Sequence, residues 1–138
     1  MFPNAGRSLS LSHRFSILER IHSFRFAIHG IVLTVQSQHN AWIHLVASVA
    51  VLATGWYVGL SRDGWLWLVM AITIVWAMEA VNTAVERLAD AAVPEIHPLI
   101  AQAKDAAAGA VLIAVLGAVV VGLLILGPPL LGKLSGGS

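Results

Sequence analysis

Apolar and polar residues fall in blocks along this chain, and the blocks predict helices. Residues 1–17 are polar, carry Pro3, Asn4, Gly6 and several serines, and read as a disordered tail. They hold no apolar core of a cleaved signal peptide, so the first span is expected to serve as the insertion signal. Over residues 18–36, Leu18, Ile21, Phe24, Ile28, Ile31 and Val35 recur at threes and fours, while Arg20, His22, Arg25 and His29 mark a basic side. That pattern predicts an amphipathic helix in the membrane interface, or else a short soluble helix packed on the spans. Gln36-Ser37-Gln38-His39-Asn40 is a polar break, too rich in amides for hydrocarbon.

Three long apolar stretches follow. Residues 41–60 form the first, interrupted only by His44, Ser48 and Thr54, and match the ~20 residues a bilayer needs. Ser61-Arg62-Asp63-Gly64 reads as a tight turn, with Trp56, Tyr57, Trp65 and Trp67 around it as an aromatic belt. Residues 65–91 form the second helix, longer than a bilayer is thick, so its charged end must protrude or tilt. Pro94 and Pro98 bracket a loop, and residues 100–126 form the third helix, expected to stop at Gly127-Pro128-Pro129 before a short tail over 132–138. The fold class is therefore an all-α membrane protein, with one interfacial helix and three transmembrane helices in a single domain over residues 18–131.

Composition strengthens that reading. Of 138 residues, 58% are hydrophobic and 11% charged, against about 25% charged in soluble domains. A net charge of +1 gives no basic field for nucleic acid. The absence of cysteine excludes disulfides, thiol catalysis and thiolate metal sites. Arg7, Arg14, Arg20, Arg25, Arg87 and Lys104 fall on one side of the spans, and Arg62 and Lys133 on the other. Positive-inside then places the N-terminus and the loop after the second span in the cytoplasm, and the C-terminus outside.

The candidate chemistry lies in Glu79-Ala-Val-Asn-Thr-Ala-Val-Glu-Arg-Leu-Ala-Asp90. At about 100° per residue, Glu79, Asn82, Glu86 and Asp90 share a wedge of about 80° on the second helix. An ionised group at a bilayer centre costs roughly 2.5–3.5 kcal/mol on insertion scales, so intramembrane acids are functional by default. Glu79 is deepest in the apolar run and carries that inference best. For Arg87 and Asp90 an ion-paired helix end that anchors the span is the favoured reading. Lys104-Asp105 opens the third helix and faces the end of the second, adding a point charge suited to phosphate. Carboxylates with an amide oxygen suit Mg²⁺, which shares its coordination with phosphates and water. Ala106-Ala107-Ala108-Gly109-Ala110 is a small-residue face for close helix packing. His97 is as readily a solvated loop histidine as a ligand contact, and His44 is expected to be hydrogen-bonded within the bundle. Gly127-Pro-Pro-Leu-Leu-Gly132-Lys133-Leu134 imitates a phosphate loop, but two prolines remove amide donors and Leu134 stands where a hydroxyl is needed.

The segments Glu79–Asp90, Glu95-Ile-His97-Pro98 and Ala103-Lys104-Asp105-Ala-Ala-Ala-Gly109, with Ser23-Phe24-Arg25-Phe26-Ala27 upstream, resemble the prokaryotic diacylglycerol kinase and undecaprenol kinase family. The likeness extends over about residues 19–126 with matching spacing. It implies a small homotrimeric enzyme of the bacterial inner membrane that transfers the γ-phosphoryl of ATP to a lipid alcohol, with sites shared between chains. It further implies Glu79 as general base, Glu86 and Gln38 as Mg²⁺ ligands, and Asn82 placing the metal–phosphate group. Lys104, Asp105, Glu95, His97 and Phe26 would surround the nucleotide. Two positions depart from the family pattern, which carries a glutamate where this chain has Gln38 and an acid where it has His44. The Lys104–Gly109 version resembles the undecaprenol kinase branch.

Two other functions compete. The Glu79 carboxylate could serve an ion- or proton-translocating subunit, although Asn82, Glu86 and Lys104-Asp105 then lie too far toward one leaflet. Alternatively, the acids only pair with Arg87 and Lys104 in an inactive accessory protein.

Overall fold

The structure, a computed structural model, describes residues 17–37, 39–92 and 97–136, with side chains from residue 21 onward except at 37 and 39. The predicted tail over 1–17 thus lies almost wholly outside the described residues, as do Gln38 and Glu95. Four helices run in chain order: α1 Ile17–Ser37, α2 His39–Val58, α3 Arg62–Ala92 and α4 Pro98–Leu134. All but α1 are long and apolar enough to cross a membrane. At 1.5 Å per residue, the 31 residues of α3 span roughly 46 Å and the 37 of α4 roughly 55 Å. Both exceed a hydrocarbon core of about 30 Å, so their ends reach the headgroups or beyond.

Most large apolar side chains of the spans point outward, among them Val46, Val49, Leu66, Val69, Leu112, Ile113 and Leu123. An exterior of that kind fits lipid or other membrane helices, not water. Hydroxyls within the spans are satisfied by their own helices: Thr54 donates to the Ala50 carbonyl at 2.8 Å and Thr73 to that of Val69 at 2.8 Å. Such bonds remove the cost of an unpaired donor in hydrocarbon.

The connection from α2 to α3 differs from the expected turn. Gly59 takes φ +71°, its N–H bonds the Trp56 carbonyl at 3.2 Å, and the Leu60 N–H bonds that of Gly55 at 3.1 Å. This pair of bonds is a Schellman end, in which glycine supplies the left-handed residue without a Cβ clash. At Gly55 the packing is close: a Cβ there would meet Leu60 Cδ1 and Trp65 Cη2 at 3.1 Å each. The residues Ser61–Gly64 are not the turn. Ser61 instead caps α3, its Oγ accepting from the Gly64 N–H at 3.3 Å, and Asp63 sits in the first helical turn where the dipole favours an acid.

The second correction concerns α4, which does not stop at Gly127-Pro128-Pro129 but continues to Leu134. Each interior proline forfeits a helical hydrogen bond. Packing and a charge-assisted hydrogen bond hold the last turn regardless. Leu130 joins the core formed by Val58, Leu68 and Leu126, and Lys133 Nζ donates to the Tyr57 carbonyl at 2.7 Å while lying 4.8 Å from the Tyr57 ring centroid. The C-terminal end of α4 therefore abuts the α2–α3 turn. The opposite end of the bundle is where α1 packs on α2 and α3 and where α3 hands over to α4.

Candidate active site

The buried face of α3 changes character along its length. It begins with Leu68 and Val75 and continues, at helical spacing, with Glu79, Asn82 and Thr83. Glu79 is 2% exposed and Asn82 7%, so the deep part of the polar stripe faces the bundle, not lipid. Thr83 Oγ1 returns its proton to the Glu79 carbonyl at 2.9 Å, which leaves the Glu79 carboxylate to seek a partner elsewhere. That partner comes from α2: His44 Nε2 lies 3.7 Å from Glu79 Oε2, with the His44 side chain 14% exposed. His44 thus lies beside the catalytic candidate itself, at a distance longer than the hydrogen bond expected of it within the bundle. His44 and Glu79 stand about equally far from the Leu60–Ser61 turn, so the hairpin register was the signal that could have paired them.

One turn further on, Asn82 Nδ2 donates to Glu86 Oε1 at 3.1 Å. A carboxylate only accepts, so this bond fixes which end of the amide faces it. Asn82 Oδ1 is consequently turned away, and it is buried without a hydrogen-bond partner. An orphaned buried carbonyl costs about 1–3 kcal/mol. A hard oxygen-seeking cation would relieve that cost, and an amide oxygen beside a carboxylate is a donor set of the kind Mg²⁺ takes. Among the described residues no group of three or more acids and histidines is placed to hold a metal, so phosphate oxygens and water would have to complete the shell.

The site residues expected from the sequence fall into three groups. Glu79, Asn82 and Glu86 come together on α3. Lys104 is half-buried on α4 and reaches back across the hairpin to Asp90 Oδ1 at 3.0 Å, so Asp90 does form the anchoring ion pair expected of it. His97, Asp105 and Phe26 are exposed, and Phe26 is 71% so. His97 has a structural task as well, since it is the N-cap of α4: its Nδ1 accepts from the Leu99 N–H at 3.2 Å, with Pro98 at the first helical position. Nδ1 as acceptor leaves Nε2 to carry the ring proton outward. An apolar groove of about 420 Å³ runs between α2, α3 and α4, with His44 at one end and Ala71, Val119, Leu123 and Leu130 along its walls.

The chain is similar in sequence to known proteins. Residues 25–126 match the sequence model of the family described as prokaryotic diacylglycerol kinase. The chain is 37% identical over 121 residues to the undecaprenol kinase of Bacillus subtilis, covering 88% of this chain and 98% of that one. It is 39% identical over 110 residues to the diacylglycerol kinase of a Synechocystis species, covering 79% of this chain but 63% of the relative. The matched region takes in α2, α3 and the α3–α4 hairpin with every residue of the stripe. The chain belongs to the prokaryotic diacylglycerol kinase family and is a lipid kinase.

Proposed function

We propose that this chain phosphorylates a membrane lipid alcohol, diacylglycerol or undecaprenol, by transferring the γ-phosphoryl group of ATP in the presence of Mg²⁺. The observation that carries the reading is one helical face. A buried carboxylate, Glu79, lies one turn from a buried amide oxygen without a partner, Asn82 Oδ1, beside the Glu86 carboxylate. Phosphoryl transfer asks for positioning and charge neutralisation more than for covalent chemistry. Glu79 accepts the proton of the lipid hydroxyl as that oxygen attacks the γ-phosphorus. Glu86 and Asn82, with Gln38, hold Mg²⁺, which when bound offsets charge on the phosphates. Lys104 supplies a cation for the phosphates, and Asp105, Glu95, His97 and Phe26 bound the nucleotide. The groove headed by His44 supports an acceptor with a hydrocarbon tail over a soluble one.

The enzyme works at the cytoplasmic face of the bacterial cell membrane. Lys133 meets Tyr57 at the α2–α3 turn, so Lys133 and Arg62 share the outer end, while Arg25, Arg87 and Lys104 lie toward the other. Helix α1 lies in that cytoplasmic interface, with Phe24, Phe26, Ile28 and Ile31 exposed for insertion among the headgroups. Three spans cannot enclose both a nucleotide and a lipid, so sites completed by neighbouring chains are the working form, and the family resemblance makes that assembly a homotrimer. The test is transfer of label from [γ-³²P]ATP, with diacylglycerol and undecaprenol offered side by side. Labelled lipid phosphate from the wild type and none from Glu79→Gln is the expected result. No transfer to either lipid by the folded protein, or a fully active Glu79→Gln enzyme, overturns the reading.

A further inference from the structure

We infer that His44 is a positioning residue for the proposed base: its imidazole, presented from α2, holds the Glu79 carboxylate in its catalytic orientation. The inference rests on Glu79 being that base. Glu79 sits on α3 with 2% exposure, flanked by apolar residues, and a carboxylate in such a place needs a partner to fix its charge and its plane. The imidazole nitrogen 3.7 Å from Glu79 Oε2 is the group the fold provides. Hydrogen bonds in unliganded sites are commonly long and close on substrate binding, so this spacing suits a contact that tightens in the working complex.

The bland alternative is that His44 merely glues α2 to α3, but the fold already has that glue one turn away. Trp76 Nε1 on α3 donates to Ser48 Oγ on α2 at 3.1 Å, and Ser48 Oγ donates to the His44 carbonyl at 2.7 Å. These bonds use the Trp76 and Ser48 side chains and the His44 backbone. The imidazole is not needed for docking. Its contact with Glu79 is what the docking makes possible, because Trp76 and Ser48 set the height at which His44 meets the carboxylate. By addressing Oε2, the ring leaves the other carboxylate oxygen for the lipid hydroxyl.

Two substitutions separate positioning from packing. His44→Met fills similar space, suits a membrane span and has no N–H to offer. His44→Gln keeps an N–H donor at about the reach of Nε2. We expect His44→Met to lower kcat by 10- to 100-fold with the KM for Mg·ATP within about threefold of wild type, and His44→Gln to recover most of that loss. Oligomer size and thermal stability in detergent should match wild type for both. In a Glu79→Gln background, His44→Met should lower the residual rate no further. A wild-type kcat in folded His44→Met overturns the inference and leaves Glu79 as base intact. So does a loss confined to KM for Mg·ATP, or equal loss in folded His44→Gln. A Glu79→Gln enzyme as active as wild type overturns the base itself, and this inference with it.

Discussion

The two ends of the bundle solve the same problem in opposite ways. At the α2–α3 turn the polar groups that close the connection are consumed by structure. Gly59 and Leu60 close the Schellman end, Ser61 caps α3, and Lys133 is spent on Tyr57. At the other end the burial is as deep but the polar groups are not consumed: Asn82 Oδ1 has no partner, and Glu79 meets His44 at 3.7 Å only. Both ends lie on the same α3 face, where Leu68 at 2% exposure and Glu79 at 2% are equally buried. Burial alone therefore does not distinguish a core from a site. The difference is whether a buried polar atom has its bond, and Asn82 Oδ1, beside the Glu86 carboxylate, lacks one.

The comparison is broken most severely at Glu79. Glu79→Gln keeps the shape and the burial, so the oligomer should form and melt near wild type, while kcat for lipid phosphorylation falls by 10²- to 10⁴-fold, the range of a lost general base. A folded variant within tenfold of wild type would place the base elsewhere. Next comes Glu86. Glu86→Ala removes the carboxylate beside the orphaned amide, and the apparent Mg²⁺ requirement, read from the metal dependence of the rate, should rise at least tenfold. If excess Mg²⁺ leaves the rate curve unchanged in position, Glu86 is not a metal ligand.

At the turn end the same logic predicts the reverse pattern. Gly59→Ala puts a Cβ on a left-handed residue at φ +71°, at a cost of roughly 1–2 kcal/mol. The melting temperature should fall by several degrees. The kcat of the protein that remains folded should not change. A drop in kcat without a drop in stability would mean that the two ends are mechanically coupled.

How much of this could be read from the chain follows the same division. The spans and the acidic stripe were legible because 3.6-residue periodicity and intramembrane charge are strong signals. The turn was misplaced because Ser61-Arg62-Asp63-Gly64 has residue types that mark turns and helix starts alike, and only Gly59, inside an apolar run, carried the left-handed residue. The stop at Pro128-Pro129 was a sound local inference overridden by tertiary contacts of Leu130 and Lys133. The His44–Glu79 pair was hidden differently. Each residue was conspicuous in its own helix, but their meeting depends on pairing the two helices across the hairpin, which periodicity within either helix does not report.

The smallest expected effect concerns Lys133, and it tests whether the turn end is purely structural. Pro128 and Pro129 leave α4 short of two amide donors, so its last turn is held from outside, by Leu130 in the core and by Lys133 on the Tyr57 carbonyl and ring. Lys133→Ala removes one of those holds at an exposed position, where such contacts contribute under about 1 kcal/mol. The global melt should move by no more than a few degrees. The local consequence should be larger: amides after Pro129 should exchange with deuterium faster, while those of the Glu79–Glu86 segment keep their protection. Lipid phosphorylation should stay within twofold of wild type, because Lys133 and Glu79 share a helix bundle but no polar contact. Faster exchange at Glu79 itself, or a larger loss of rate, would show that strain released beside Tyr57 travels down α3, and that the structural end sets the geometry of the chemical one.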